Sequence, residues 1–251
     1  MDLREQNKGQ TGRHPWELAR LDALSRILAA VDLPSGARVL DVGCGDGFAG
    51  QGLLPDRSLG SLVGLDANFS DEQLARFRGA TEGGRYVRGF EEISGERFDV
   101  VLLLDVIEHL VDDRGLLLRV RSDHMADGAV ALVTVPAFQS LFSAHDRFLL
   151  HQRRYRRSAL LRLAADAGLR PLRSGYLFAS LLLPRLMALC WERLSRSERA
   201  GGLGTWRGGA SLTGAVRWVL GMDNRFLLAL AGRGVFLPGL SAWMLCKKPP
   251  S

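Results

Sequence analysis

Short apolar runs alternate with amphipathic stretches along the chain. Trp16, Leu18, Leu21, Leu24, Leu28 and Val31 recur at helical spacing, so residues 15–31 predict an amphipathic lead-in helix with Pro15 in its first turn. Pro34, Ser35 and Gly36 break it. Residues 38–42 then read as a short strand running into a glycine cluster, and residues 61–65 as a second strand that ends at Asp66. Residues 71–78 have the polarity of a surface helix opened by an acid near its positive end. Residues 86–88 give a weak third strand. The near-continuous apolar run 98–104 has the pattern of a central strand covered on both faces. Residues 106–120 repeat leucines at helical spacing, and 129–135 form another buried strand closed by Pro136.

Beyond Pro136, residues 158–167 predict a helix stopped by Gly168, and 170–178 a strand at the sheet edge. Residues 176–191 are strongly apolar, but Pro184 and Arg185 interrupt them and they fall short of the roughly 20 residues a membrane-spanning helix needs. Residues 193–209, rich in Gly, Ser and Arg, read as a mobile loop, and 240–246 as a final strand. The expected architecture is α/β: a doubly wound, mainly parallel seven-stranded sheet with right-handed crossovers and a helical, basic and apolar cap. One domain spans 1–251, divided into a lead-in (1–36), a cofactor-binding core (37–136), an acceptor-side cap with an edge strand (137–239) and a terminal strand (240–248).

Composition narrows the class. With 251 residues, 47% hydrophobic and 24% charged, the chain buries a substantial core, which excludes disordered and fibrous proteins. The net charge of +6 hides a split: 15 basic and 23 acidic residues up to Asp146, then 18 and 4 after it. Either the second part faces something anionic, such as an acidic membrane surface, or a basic cap rests on an acidic core. Cys44, Cys190 and Cys246 are odd in number and far apart, so they supply neither a disulfide framework nor a zinc set. A reducing cytoplasm is the expected compartment, and residues 1–14 hold no apolar signal core.

The chemistry concentrates after the first strand. Gly43, Gly45 and Gly47 sit between a strand and a helix, where glycines let the backbone turn sharply and approach a ligand. Asp66 follows nineteen residues after Gly47, at the end of the next strand, where a carboxylate accepts both hydroxyls of a ribose. A dinucleotide fingerprint wants its third glycine one place later. Asp41 and Asp46 would also repel a pyrophosphate, whereas they suit a ligand carrying an amine or a sulfonium.

These residues resemble the first motif, D-x-G-x-G-x-G, of the class I S-adenosylmethionine-dependent methyltransferases, in the small-molecule group of types 11 and 12. The resemblance covers residues 38–136. It implies a Rossmann-like methyltransferase fold, S-adenosyl-L-methionine as cofactor, and Asp41, Gly43, Gly45, Gly47 and Asp66 as cofactor-binding residues. The run Asp105, Val106, Ile107, Glu108, His109, Leu110 matches the family after the fourth strand, which places Asp105, Glu108 and His109 beside the methionine end of the cofactor. Glu91 or Phe90 is expected at the adenine, Phe90 by stacking. A second similarity, from Thr134 to Tyr155, places His145, Asp146, His151, Arg153 and Arg154 on the acceptor side.

The implied activity is methyl transfer to a small acceptor, lipophilic or anionic, by in-line displacement, without a metal. His109, His145, His151 and Asp146 are the catalytic candidates, with His109 or His145 as the base. His109 equally suits a packed histidine, Asp105 and Glu108 first-turn acids, and His145, Asp146 and His151 a buried polar network. The alternative function is a catalytically silent S-adenosylmethionine-binding regulatory or membrane-peripheral module. The apolar segments 176–191 and 226–237, interspersed with arginine, point to an anionic membrane surface as a partner. Nucleic acid is disfavoured because no acceptor-base tetrad follows the fourth strand.

Overall fold

The computed structural model describes residues 13–53, 59–80, 84–195, 206 and 208–250. Helix α1 (Pro15–Leu28) leads into β1 (Ala37–Val42), followed by α2 (Phe48–Leu53), β2 (Leu59–Leu65), α3 (Asp71–Ala80), β3 (Gly84–Val87) and β4 (Phe98–Leu104). Then come α4 (Asp113–Arg119), β5 (Met125–Pro136), α5 (Ala144–Phe148), α6 (Arg157–Asp166), β6 (Arg170–Leu177), α7 (Leu182–Ser195), α8 (Ala210–Gly232) and β7 (Ser241–Lys247). The seven strands form one sheet in the order β3-β2-β1-β4-β5-β7-β6. Strands β1 to β5 pair in parallel, whereas β7 runs antiparallel to both β5 and β6. Strand β4 is central and β6 lies at the edge, as their patterns predict.

The continuous apolar runs arise because both faces of the sheet are covered. Leu40, Val42, Val101 and Leu103 face one core layer with Leu117, Leu160 and Ala164 of α4 and α6. Their neighbours Val39, Val100, Leu102 and Leu104 face the other, with Ala23, Leu24 and Ile27 of α1 and Leu220 of α8. The C-terminal edge of β1 and β4 is where the connections reverse direction across the sheet, and a crevice there is the usual ligand site of open α/β folds.

Two segments depart from the sequence expectation. Residues 106–120 are not one helix: a single tight turn, Ile107–His109, comes first, and α4 starts only after Asp112, whose carboxylate caps it by accepting from the Gly115 N–H at 2.8 Å. The break follows from Asp105, which holds a left-handed φ of 58° and ends β4 abruptly. Helix α8, 23 residues long, had no counterpart in the sequence pattern, because apolar residues lie on more than one of its faces. Of the expected loop 193–209, the first residues complete α7, and 196–205 and 207 lie outside the described residues.

Candidate functional site

The glycine turn after β1 is tied to β2 by the Gly43 and Cys44 N–H groups, which donate to the Leu65 carbonyl at 2.6 and 3.1 Å. Gly43 and Gly47 have φ of 67° and 72°. A Cβ on Gly43 would lie 2.6 Å from the Val106 side chain, so the turns after β1 and β4 touch and only glycine fits between them. Asp66 stands at the end of β2, 7% exposed. One oxygen accepts from the Gly45 N–H at 3.0 Å, and the other from the Asn68 N–H at 2.9 Å and the Asn68 side-chain amide at 3.2 Å. The oxygen bonded to Gly45 keeps a second lone pair for a ribose hydroxyl.

Asp41, expected among the cofactor-binding residues, is buried. It is 1% exposed and lies under α2, where a Cβ on Gly50 would fall 2.8 Å from one of its carboxyl oxygens. Neither oxygen has a hydrogen-bond partner among the described residues, and burial pushes the carboxyl up to about 7. Phe90 and Glu91 are the residues expected at the adenine. The Phe90 ring stacks on His124 at 5.0 Å and lies under the Arg119 guanidinium at 4.4 Å, so those neighbours occupy it. The exposed Glu91 folds its carboxylate back over Gly89.

At the end of β4, Asp105 pairs with Arg20 of α1 at 2.8 Å and accepts from the Thr134 hydroxyl at 3.1 Å. Arg20 also donates to the Thr134 hydroxyl at 2.6 Å. Arg13 pairs with Asp46 and sits over the Phe48 ring at 4.2 Å, closing over the glycine turn. Arg13, Arg20 and Thr134 are site residues that the sequence reading missed. The helical pattern marks α1 only as a packing element, and nothing local says that its arginines reach across the sheet.

Next to Asp105 the chain assembles a second set of groups. Glu108 is fully buried with both carboxylate oxygens unpartnered, and burial, reinforced by the negative charge of Asp105, raises its pKa well above the carboxylate range. The ligand atoms of Glu108, His109 and His151 lie within 4.8 Å of one another, and the two imidazoles meet edge to face at 4.7 Å. This set could hold a divalent cation, although the spacing in sequence gave metal little weight. His151 Nδ1 lies 2.9 Å from Asp146 Oδ1. The buried Asp146 also accepts from Ser143 N–H at 2.9 Å and Arg154 Nε at 2.7 Å. Those hydrogen bonds and the Arg154 charge outweigh the burial and hold its carboxyl well below the usual range.

His145 lies on α5, its N–H donating to the Ser143 hydroxyl, and is absent from the Glu108, His109 and His151 set. Arg153 pairs with Asp113 at 3.3 Å, and the Tyr155 hydroxyl donates to the same carboxylate at 2.6 Å. Arg154 holds Asp146, so neither Arg153 nor Arg154 is free of an acidic partner. His109 and Asp146 thus each meet His151, beside Glu108.

The methyltransferase-domain family matches residues 14–174, which carry the glycine turn, Asp66, Asp105 and the Asp146–His151 pair. A ubiquinone biosynthesis O-methyltransferase of Azorhizobium caulinodans is 38% identical over 104 residues, 39% of this chain and 40% of that protein. The mitochondrial ubiquinone biosynthesis O-methyltransferase of Schizosaccharomyces pombe is 27% identical over 129 residues, 49% of this chain and 46% of that one. The chain thus matches less than half the length of these relatives. Among solved structures, an S-adenosylmethionine-dependent methyltransferase from Archaeoglobus fulgidus has a TM-score of 0.54 at 15% identity, covering 92% of this chain and 94% of that one. The Burkholderia thailandensis 1,6-didemethyltoxoflavin-N1-methyltransferase, with its substrate and S-adenosylhomocysteine bound, has a TM-score of 0.54 at 16% identity, covering 92% and 78%. Those two likenesses establish the fold, and the family match over most of the chain, with the glycine turn and Asp66 in place, establishes that the chain belongs to the class I S-adenosylmethionine-dependent methyltransferases.

Proposed function

We propose that the chain methylates a hydroxyl group on a small lipophilic acceptor, with His151 as general base and Asp146 as the residue that orients it. The observation carrying this reading is the 2.9 Å Asp146–His151 contact beside Asp105 and Glu108. An ionised Asp146 fixes the proton on His151 Nδ1 and leaves Nε2 as an acceptor. The naming of the relatives as O-methyltransferases supports a hydroxyl as the acceptor group.

The residues fit the cofactor of the family. Gly43, Gly45 and Gly47 permit close approach, Asp66 takes the ribose, and Asp105 offers negative charge to the methionine end. S-adenosylmethionine supplies an already activated methyl group, so the protein has to position the acceptor, exclude water and remove one proton. With that cofactor bound, His151 Nε2 would take the proton of the acceptor hydroxyl as the methyl group is transferred to its oxygen. Arg20 and Thr134 keep the Asp105 carboxylate fixed while this happens.

The test is release of S-adenosylhomocysteine with a panel of detergent-dispersed phenols, water-soluble catechols and amines. We expect turnover on hydroxyls. In H151N, kcat should fall about 10²- to 10⁴-fold while cofactor affinity is unchanged. Cofactor binding without turnover on any acceptor would instead favour a silent binding module, and methylation confined to amines would overturn the hydroxyl assignment. A second reading rests on the unpartnered Glu108 oxygens beside two histidines: Glu108, His109 and His151 hold a divalent cation that binds the acceptor oxygen. Loss of activity on chelation and recovery on adding Mg²⁺ or Zn²⁺ would select that reading over the metal-free base.

A further inference from the structure

Helix α8 is too apolar for a helix with one buried face. Its inner side places Leu220, Asn224 and Leu227 against the core. Its outer side carries Leu212, Val219, Met222 and Phe226, spaced by seven, three and four residues, with Trp218 beside them; all five are exposed, Trp218 to 67%. The spacing is that of one continuous helical stripe, so α8 has a second apolar face that nothing covers among the described residues. Helix α7 repeats the pattern: Arg185 and Glu192 tie it to the α5 region, while Leu183, Met187, Trp191 and Leu194 point to solvent.

Charge decides what covers this face. A cavity of about 240 Å³ between α1, α8 and β6 is lined by Arg26, Arg173 and Arg225 together with Ile27, Leu228 and Ala229. No acidic side chain lines it, and none of the three arginines forms an ion pair among the described residues. Arg225 directly precedes Phe226 of the exposed stripe. Unpaired guanidinium groups next to exposed tryptophan, phenylalanine and leucine match a surface that is anionic at its rim and apolar a few ångströms deeper. No helix of the described residues is long and apolar enough to cross a membrane, so contact would be in the plane of the interface.

We propose that the outer faces of α7 and α8 form a docking surface for an anionic phospholipid bilayer, with Arg26, Arg173 and Arg225 receiving lipid phosphates and Trp191, Trp218 and Phe226 inserting among the acyl chains. The surface lies one helix from the crevice. Helix α1 pairs with α8 through Asp22 and Arg217 at 2.9 Å, and with the crevice through Arg20 and Asp105 at 2.8 Å. Docking there would put the crevice next to acceptors dissolved in the bilayer. The surface itself does not depend on which acceptor is methylated.

Flotation of the full chain with vesicles of phosphatidylcholine alone, or containing about one-third phosphatidylglycerol, tests the proposal. We expect flotation with the anionic vesicles, at least tenfold weaker with the neutral ones and weakened by 0.5 M salt. R173Q/R225Q should remove the preference for anionic lipid, and W218S/F226S should reduce binding at every composition. Both variants should keep the cofactor affinity of the parent, which shows that they fold. Excess inorganic phosphate should not release the protein, because phosphate fills the arginines but not the apolar stripe. A protein that stays unbound with both vesicles overturns the proposal. So does a concentration-dependent dimer that W218S/F226S converts to monomer, since the face would then bind a second copy.

Discussion

At the residue scale, the crevice is built from groups held in unfavourable states. Asp105, Phe138, Leu150 and Phe178 all have φ between 58° and 64°, and the first three follow β4, follow β5 and precede His151. Left-handed backbone in non-glycine residues costs about 1 kcal/mol or more and persists where the surroundings enforce it. Asp41 is a second stored cost. Its carboxyl sits at about 7 in the folded chain against 3.8 for the free side chain, and ionising it at neutral pH costs on the order of 4 kcal/mol of stability. The folded state therefore holds a proton that the unfolded chain has lost between those two values. Thermal stability of the ligand-free protein should fall as pH rises from about 4 to about 7, with no further loss from this group above that. D41N should flatten this part of the profile, and an unchanged slope in D41N would contradict the buried, unpartnered placement. Asp146 acts in the opposite direction: depressed by the hydrogen bonds from His151 and Arg154, its carboxylate contributes stability above the usual aspartate value, which is lost as pH falls through its lowered value. At Asp66, replacement by Ala should weaken cofactor binding by about tenfold or more, read by calorimetry, because an ionised carboxylate to a hydroxyl is among the stronger hydrogen bonds.

At the scale of elements, packing and polar pinning do separate jobs. Leu102 on β4 is fully buried between covered faces, so L102A should cost about 2–5 kcal/mol in denaturant unfolding. Asn224 on α8 is 2% exposed, accepts from the Phe178 N–H at 2.9 Å and donates to the Ala19 carbonyl at 3.4 Å. It joins α8, the end of β6 and α1 at one point. N224L should cost about 1–3 kcal/mol, since it strands a buried backbone N–H while supplying similar volume. Strands β1, β2, β4 and β5 were legible because each is a short, mainly apolar run ended by Gly, Asp or Pro. Helix α8 was not, since an apolar pattern on several faces has no polar side to mark its period. The break before α4 was hidden for another reason: Asp112 caps a helix whose leucines continue the spacing of the residues before it.

At the scale of the molecule, the charge split resolves into two parts. Arg153 with Asp113, Arg154 and Arg185 with Asp146, Arg217 with Asp22, and Lys248 with Asp127 join the basic second part to acids of the first. The basic cap does rest on an acidic core, while Arg26, Arg173 and Arg225 stand outside this pairing. Cofactor binding should stabilise the whole domain, because the site joins the ends of β1, β2 and β4 with α1. At a hundredfold excess over Kd the linkage is about 2.7 kcal/mol, a rise in Tm of roughly 5–10 °C for a chain of this size. In D66A the same cofactor concentration should raise Tm by about half as much or less.

The local pattern alone determined the α/β class, the strand positions, and the glycine turn with the acid one strand later, since strand–turn–helix chemistry is written in neighbouring residues. Tertiary structure decided the rest. It inserted β7 between β5 and β6, buried Asp41 beneath α2 and surrounded Phe90 with His124 and Arg119. It also brought Arg20 to Asp105, 85 positions apart in the sequence, and paired Asp146 with His151 beside Glu108 and His109. Such contacts depend on how two faces of one sheet are covered, and no short window of sequence contains both partners and the sheet between them.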